Sequence, residues 1–421
     1  MNILGIIAEY NPFHNGHLYQ LKKSVAMTEA DFVVVIMSGN FTQRGEPTIF
    51  SKWDRARLAV ECGVDLVIEL PFVFACNNAE YFAKGAIEIL NGLGCITHLS
   101  FGSEVGDLTQ LNKIAELVSF ETEEFKEILK QHLDSGLSYP TSRGEAIKHC
   151  LGEEVSNIIN NPNNILAIEY LKQLKLTNSD IIPVTVKRFA SEYNDTSLKG
   201  NIASATAIRT ALFSRNLNTT ADEEHNISDF IPADCLETFL KLKEINELSS
   251  AKYKYQEDLY FKLISLKVLT ANRTSLNQIF SINEGLENKL KTAVRTSDTL
   301  MALREAIKSK RYTLTRINRL LTHTLLGLTT DNFNMILESN QCYARILAFN
   351  LKGAKLLKHI KKSEKASLPI ITNINKEKDQ LVDCQLLLSY DLMSTDIYNL
   401  INQNSIYSCS DQISKPYFKK D

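Results

Sequence analysis

Short runs of β-branched and apolar residues alternate along the chain with segments whose apolar residues recur every three or four positions. The first pattern is typical of strands buried on both faces, and the second is typical of amphipathic helices. Their alternation predicts a doubly wound (Rossmann-like) α/β domain with a parallel sheet. The predicted strands are Ile3–Ala8, Phe32–Met37, Asp65–Leu70, Thr97–Phe101 and Ile182–Val186, and the predicted helices between them are Gly16–Thr28, Ser51–Cys62 and Ala79–Leu93.

The rest of the chain has a largely helical pattern. Residues 107–175 predict a helical insertion before the last strand, and a helix beginning near Ala203 would close the domain. Residues 216–226 are polar and rich in turn formers, as linkers are. We therefore predict an α/β domain at residues 1–215, a linker at 216–228 and a mainly helical domain at 229–421.

The second half should be helical from Ile231 to about Gly353. Strand-like runs at Leu368–Asn373 and Gln385–Tyr390 predict a small α+β tail after it. The pattern contains no internal repeat, so a solenoid or propeller is not expected.

The composition is that of a soluble globular protein, with 44% hydrophobic and 23% charged residues in 421. The net charge of −2 hides an asymmetry: the first 220 residues hold 19 Lys and Arg against 25 Asp and Glu, and the remainder holds 28 against 24. A basic second half is a weak indication of a polyanionic partner.

Cysteine spacing and hydropathy exclude several other classes. The eight cysteines form no C-x-x-C, so neither a zinc ribbon nor a disulfide framework is expected, and we predict no resident metal site. No apolar run approaches the roughly 20 residues that span a bilayer. Residues 1–8 are strand-like and lack the basic start of a signal peptide, so we expect a cytoplasmic protein without a membrane partner.

The strongest chemical signal is the sequence His14-Asn15-Gly16-His17, which follows the first strand and opens a helix. Ligands of doubly wound folds bind beyond the carboxyl ends of the strands, where helix N-termini attract phosphate. Two histidines one turn apart could donate hydrogen bonds to the phosphates of ATP as pyrophosphate leaves. Gly16 would let the backbone approach the nucleotide. We predict His14 and His17 as catalytic residues; two incidental histidines in a turn are the alternative.

A second segment, Ile202 to Arg209, combines small residues, hydroxyl groups and an arginine at a helix start. Ser204, Thr206 and Arg209 could form a second phosphate site. Simple helix capping explains Ser204 and Thr206 equally well when they are considered alone.

Seven ordered segments together resemble the bacterial tRNA(Met) cytidine acetate ligase family, within the His-x-Gly-His nucleotidylyltransferase superfamily. The resemblance is dense in the α/β part and looser in the helical half. The segments are residues 8–21, 37–47, 51–71, 101–104, 162–172, 186–189 and 203–209.

This resemblance implies an enzyme that uses ATP to convert acetate to acetyl-adenylate. The acetyl group would then pass to the exocyclic amine of the wobble cytidine of elongator tRNA(Met), with no obligate protein partner implied. It implies a nucleotide site made of Gly102, Asn163, Arg188 and the first loop. That loop comprises Ile7, Ala8, Glu9, Tyr10, Asn11, Pro12, Phe13, His14, Asn15, Gly16, His17, Leu18, Tyr19 and Gln20.

Several of these positions keep a second interpretation. Gly102 could leave room for a purine or simply form a turn, and Asn163 could cap a helix while Asn164 contacts the nucleotide. Glu9 could orient His17, hold Mg²⁺ that accompanies ATP, or accept backbone hydrogen bonds. Three cations near the second strand, Arg44, Lys52 and Arg55, could bind phosphates or RNA, or could face solvent.

Two basic clusters in the second half predict an RNA surface. One is a helical stripe that contains Lys352, Lys355 and Lys358, and the other runs from Arg304 to Arg319 and includes Arg311, Tyr312 and Arg316. Basic stripes bind phosphate backbones, and aromatic rings stack on unpaired bases. A solvated helix face is the alternative for each lysine taken singly.

Three other functions fit parts of the pattern. A nucleotidylyltransferase that makes a dinucleotide cofactor could have a similar first domain. A non-enzymatic RNA-binding protein could retain a relic nucleotide fold, although His14, His17 and Arg209 argue against it. A class I aminoacyl-tRNA synthetase would need a K-M-S-K-S-like loop, and the sequence shows none after the last strand.

Overall fold

A mixed sheet of eight strands organises the part of the molecule that the structure describes. The computed structural model describes residues 1–188, 202–213, 227–283 and 285–420. Its strands are β1 Ile3–Ala8, β2 Phe32–Ser38, β3 Leu66–Leu70, β4 His98–Ser103, β5 Ile182–Lys187, β6 Ala344–Asn350, β7 Ile370–Ile371 and β8 Tyr417–Lys419.

The strand order in the sheet is β5-β4-β1-β2-β3-β6-β7, and β8 pairs with β6. The pairs among β1 to β5 are all parallel, whereas β6 runs antiparallel to β3, with Glu69 opposite Arg345. The carboxyl ends of β1 to β5 therefore meet at one edge of the sheet, where ligands of such folds bind.

Within the described ranges, twenty helices cover the two faces of the sheet and build the second half. The first ten are α1 Asn15–Thr28, α2 Lys52–Glu61, α3 Phe72–Ala75, α4 Ala79–Gly92, α5 Leu108–Ser119, α6 Glu123–Asp134, α7 Tyr139–Leu151, α8 Ser156–Ile159, α9 Pro162–Leu176 and α10 Ala205–Phe213. The last ten are α11 Ala233–Ile245, α12 Ser250–Thr270, α13 Arg273–Asn277, α14 Leu286–Thr296, α15 Leu300–Ile307, α16 Leu314–Leu326, α17 Thr330–Ser339, α18 Leu351–Ser363, α19 Ile374–Glu377 and α20 Gln385–Ile401.

Two apolar layers cover the sheet, one on each face. Helices α4, α5 and α9 pack on one face through residues such as Leu90 and Leu171. Helices α1, α2 and α10 pack on the other face through residues such as Leu21, Ala56 and Ile208. The strands are buried on both sides, which is why their sequences are continuous apolar runs.

The predicted doubly wound fold is confirmed, and so are its five strands, the helices between them and the helical insertion. Two predictions for the second half are wrong. The segment from Ile231 to Gly353 is not helical throughout, because β6 lies inside it and joins the sheet beside β3. Gln385–Tyr390 is not a strand: it begins α20, whose buried positions Leu387, Tyr390 and Ser394 recur at helical spacing.

The predicted linker at 216–226 lies outside the described residues. The second half supplies β6, β7 and β8 as well as helices, so both predicted domains contribute strands to one sheet. The boundary at 216–228 stays a prediction.

A buried network of charges joins the end of the chain to this sheet. The ammonium group of Lys52, which is fully buried, lies 2.6 Å from Glu69 and 2.8 Å from Asp411. Arg345 contacts the same two carboxylates, at 3.3 Å and 2.7 Å. Its guanidinium and Lys52 hold the pKa of Asp411 at about 2 in spite of burial. The network carries two charges of each sign, which makes its burial tolerable.

Arg55 is equally buried and has a different set of partners. It donates hydrogen bonds to the backbone carbonyls of Glu9, Ser38, Gly39 and Phe50. The suggestion that Lys52 and Arg55 bind phosphates or RNA is therefore wrong, because neither side chain reaches solvent. Arg55 braces the segments at the ends of β1 and β2, and Lys52 joins α2 to β3 and Asp411.

We predict that Lys52→Met lowers the free energy of unfolding by about 3–5 kcal/mol, because two carboxylates then stay buried with one cation fewer. Lys358→Met is the control, since Lys358 is exposed on α18 and should shift stability by no more than about 0.5 kcal/mol. The measurement is the midpoint of urea unfolding for the parent and both variants. Equal midpoints for the two variants would contradict the structural role of the network.

Candidate active site

A cavity of about 1000 Å³ opens at the carboxyl edge of the sheet. Its walls come from the ends of β1 and β4, the first turn of α1, the insertion helices α7 and α9, and the beginnings of α10 and α16. Both sequence motifs face it, because the elements that carry them begin or end at this edge.

His14 is the N-cap of α1, and its Nδ1 accepts a hydrogen bond from the backbone N–H of Gly16 at 3.0 Å. Burial lowers the pKa of His14 to about 3, and the guanidinium groups of Arg188 and Arg209 act in the same direction. The ring is therefore neutral at physiological pH. Since Nδ1 accepts, the proton of the neutral ring is on Nε2, where it can be donated to a phosphate oxygen.

His17 lies one turn later, with its ring centroid 3.8 Å from that of His14. Tyr10 and Phe13 pack against it, at centroid distances of 4.9 Å and 5.6 Å. Burial, followed by His14 and Arg188, lowers the pKa of His17 well below its ordinary value. Its buried Nδ1 has no hydrogen-bond partner among the described residues. A buried polar atom without a partner needs an explanation, and because His17 lines the cavity a bound ligand would provide one.

The first loop divides into residues that face the cavity and residues that support them. Ile7, Ala8, Glu9, Tyr10, Asn11, His14, His17 and Gln20 line the cavity, whereas Pro12, Phe13, Asn15, Gly16, Leu18 and Tyr19 lie behind it. The structure explains the glycine at position 16 differently from the sequence, which suggested a close approach of the backbone to the nucleotide. A Cβ there would lie 2.8 Å from Cε1 of His14, so glycine makes room for the histidine ring.

Glu9 accepts a hydrogen bond from the backbone N–H of Gln43 at 2.7 Å. Of its three possible roles, this contact supports acceptance of backbone hydrogen bonds. It ties the end of β1 to the loop after β2, which brings Gln43 and Arg44 to the cavity wall.

The second motif is joined directly to the first. Arg209 donates to the backbone carbonyl of Asn11 at 2.7 Å and to the hydroxyl of Thr206 at 3.2 Å. Ser204 caps α10 by accepting from the N–H of Ala207. Ser204, Thr206 and Arg209 all line the cavity, so capping and ligand binding are compatible roles here.

Gly102 and Arg188 are neighbours at the ends of β4 and β5. A Cβ on Gly102 would lie 3.2 Å from Cγ of Arg188, and both residues line the cavity. Burial lowers the pKa of Arg188, with Glu104 acting in the opposite direction. The partly buried guanidinium acts on His14 and His17 as a positive charge, and no ion pair joins it to another described residue.

Asn163 and Asn164 differ in their hydrogen-bond partners and in their access to the cavity. Asn164 is fully buried: its side-chain oxygen accepts from the N–H groups of Glu104 and Val105, and its amide donates to Ile158. Asn163 lines the cavity and donates to the carboxylate of Glu104 at 2.7 Å. The same carboxylate accepts from the first backbone N–H groups of α9, so Glu104 fastens the insertion to the sheet.

Several residues line the cavity although no local sequence pattern places them there. Arg319 on α16 donates to the backbone carbonyl of Gln43, although it lies 276 positions away. Arg143 and Glu169 form an ion pair between α7 and α9. Glu169, Tyr170 and Lys172 lie in one of the segments that resemble the family, residues 162–172. Only that resemblance could have suggested these three residues.

Of the two basic clusters, one borders the cavity and the other lies at the opposite edge of the sheet. Lys352, Lys355 and Lys358 are exposed on α18, which begins at the opposite edge of the sheet: Lys352 donates to Asp31, just before β2. A seven-residue strand, roughly 20 Å long, separates that edge from the cavity edge. Thr313, Thr315 and Arg319, from the other cluster, line the cavity. Tyr312 is buried under Arg316, at 4.5 Å from its ring, so it is not free to stack on a base.

The fold and the paired motifs at one cavity define a nucleotidyltransferase of the His-x-Gly-His class. The family model described as HIGH Nucleotidyl Transferase matches residues 1–412. Within this class, the chain belongs to the tRNA(Met) cytidine acetate ligase family.

Two curated relatives of that name illustrate the similarity. The protein of a Thermoanaerobacter strain is 43% identical over 96% of each chain, and that of Acetivibrio thermocellus is 40% identical over 97% of each. Two crystal structures of Thermotoga maritima TmcAL also match over the whole of both chains at 31% identity. Their TM-scores are 0.90 for the apo form and 0.87 for the form bound with alpha-thio ATP.

We expect His14→Asn and His17→Ala each to reduce ATP-dependent activation by about 10²–10³-fold, the usual loss when one donor to a developing charge is removed. Asparagine is also a good N-cap, so His14→Asn should keep the start of α1 intact. The measurements are pyrophosphate exchange into ATP and the thermal unfolding midpoint.

His359→Ala, which changes an exposed residue of α18, is the control and should alter neither quantity. A histidine variant that retains full exchange but unfolds at a lower temperature would show a structural histidine.

Proposed function

We propose that this protein activates acetate with ATP and transfers the acetyl group to the exocyclic amine of the wobble cytidine of elongator tRNA(Met). The observation that carries the proposal is that His14, His17 and Arg209 line one cavity. The same cavity has space for further substrates. The names of its relatives and the ATP analogue bound by the Thermotoga protein support the same chemistry.

The first step is attack by an oxygen of acetate on the α-phosphorus of ATP, which forms acetyl-adenylate and releases pyrophosphate. Negative charge grows on the phosphate oxygens as the bond to the leaving group breaks. Neutral imidazole N–H groups and the guanidinium groups of Arg188 and Arg209 are held in place before the reaction. Such fixed donors stabilise this charge without reorganisation.

In the second step the N4 amine of cytidine attacks the acetyl carbonyl carbon. The bond to the phosphate oxygen breaks, AMP leaves, and the amine loses a proton. The site must therefore hold the acyl-adenylate while a base from a large RNA enters, which fits a cavity that is larger than ATP alone requires.

We also propose that Mg²⁺ binds together with ATP. Within the ranges that the structure describes, no group of three or more His, Cys, Asp or Glu side chains could hold a metal ion. Mg²⁺ is commonly bound by substrate phosphates, water and one or two carboxylates. Glu9 and Glu46 on the cavity wall are the carboxylates that could take part.

We further propose a cytoplasmic protein that meets its tRNA without an obligate protein partner. Among the described helices, none is long and apolar enough to cross a membrane. The RNA would bind through the two basic clusters, with Arg311 and Arg316 nearer the cavity and the α18 stripe farther away.

Pyrophosphate exchange into ATP should depend on acetate, because the attacking oxygen comes from that substrate. Purified protein is assayed with ATP and labelled pyrophosphate, with and without acetate, and tRNA acetylation is then followed in the complete system. Exchange that ignores acetate but responds to a mononucleotide acceptor would indicate a dinucleotide-forming enzyme. Absence of exchange with retained tRNA binding would indicate an RNA-binding protein with a relic site.

Charge reversal by Lys355→Glu with Lys358→Glu should weaken tRNA binding and leave acetate-dependent exchange nearly intact, because α18 is remote from the cavity. Removal of one lysine–phosphate interaction should flatten the log–log dependence of affinity on salt by about one unit. The measurement is tRNA affinity at several salt concentrations. Arg311→Glu with Arg316→Glu is the matched comparison at the nearer cluster. Parallel lines of equal affinity for parent and stripe variant would show that the lysines are only solvated.

A further inference from the structure

Part of the cavity is lined by residues outside the two sequence motifs, and we call this part the lobe. This lobe lies between the first turn of α4, helix α7 and the middle of α9. Its walls include Glu80, Phe82, Tyr139, Arg143, Glu169 and Lys172. None of these side chains belongs to the two sequence motifs.

A buried ion pair lies in the lobe. Nη1 of Arg143 lies 2.5 Å from Oε1 of Glu169, and the carboxylate side chain is only 2% exposed. Nη2 of Arg143 and Oε2 of Glu169 are also buried, and neither has a hydrogen-bond partner among the described residues. A buried donor and a buried acceptor are costly to leave unpaired. Both residues line the cavity, where a ligand with one acceptor and one donor would pair the two groups.

The edge of cytosine that pairs with guanine has this pattern. Its N4 amine is a donor, and the adjacent N3 and O2 atoms are acceptors. Carboxylates recognise cytosine by accepting from N4, and an arginine N–H can donate to the neighbouring N3 acceptor. Glu169 and Arg143 match these two requirements.

We propose that Arg143 and Glu169 recognise the wobble cytosine, and that Glu169 accepts the proton that N4 loses when it attacks the acetyl group. The inference rests on the proposed function. The N4 lone pair forms the bond to the carbonyl carbon, the carbon–oxygen bond to AMP breaks, and one N4 proton passes to Oε2. Arg143 positions the base by donating to N3.

The mouth of the lobe suits a base that arrives on a polymer. Tyr139 is 49% exposed and lines the cavity at the first turn of α7, where its ring can stack on an incoming base. Lys148 and Lys172 also line the cavity and can contact the flanking phosphates, although each pairs with a glutamate. Adenine has the same donor–acceptor edge as cytosine, so the test must separate the two bases.

The test uses Glu169→Gln and Arg143→Met in the full chain, with Glu116→Gln as the control. Glu116 also pairs with a cation of α9, Lys175, but lies outside the cavity wall. Acetate-dependent exchange should stay within about twofold of the parent for all variants. Transfer from preformed acetyl-adenylate to tRNA should fall about 10²-fold or more in both lobe variants, the range of lost acid–base catalysis. The control should transfer at the parent rate.

The other results would overturn the assignment in identifiable ways. A raised KM for ATP in the exchange assay would assign the pair to adenine, and a raised KM for acetate would assign it to the carboxylate substrate. Full transfer by both folded variants would make the pair structural. If the parent acetylates no tRNA, the proposed function itself fails, which is a separate outcome.

A change in the substrate tests the same contact without altering the protein. A tRNA with 3-deazacytidine at the wobble position lacks the N3 acceptor but keeps the N4 amine. The parent should acetylate it more slowly than normal tRNA, and Arg143→Met should show a smaller defect on this substrate than on the normal one. Equal rates of the parent on both tRNAs would overturn the role of Arg143, even if the protein variants fail to fold.

Discussion

The buried cations of α2 are the constraint on which the active site depends. Arg55 donates hydrogen bonds to backbone carbonyls at the ends of β1 and β2, including those of Glu9 and Gly39. A guanidinium taken out of water must satisfy its N–H groups, so these loops have little freedom to move apart. Lys52, one turn earlier, ties the same edge to β3 and to Asp411 near the chain terminus. The loop that presents His14 and His17 therefore rests on contacts from three strands and the C-terminal segment.

The cavity is formed where the two faces of the sheet meet at one edge. Helices α1 and α10, on one face, supply the histidines and Arg209, while α7 and α9, above the other, supply the buried ion pair. Glu104 connects the halves, because its carboxylate accepts from the start of α9 while it continues directly from β4. The proposed phosphate chemistry and the proposed recognition of the acceptor thus belong to different layers of the same fold.

Much of the first half could be predicted because its information is local. Strands β1 to β5 are apolar runs, and the His-x-Gly-His motif is contiguous, so its position after β1 follows from order along the chain. Predictions failed where local patterns were ambiguous. The apolar run of β6 resembles a buried helix segment, and the leucines at the start of α20 resemble a strand until the spacing of Tyr390, Ser394 and Tyr398 is included.

The sequence by itself determined the class of fold, the two nucleotide motifs and the family. Tertiary structure decided which charges are buried and which residues meet. Lys52 and Lys355 are indistinguishable as letters, yet one is fully buried between two carboxylates and the other is exposed on α18. Asn163 and Asn164 are adjacent, and only their hydrogen bonds separate a cavity residue from a structural one. The physical reason is that burial and pairing depend on contacts between residues far apart in the chain, which no local pattern records.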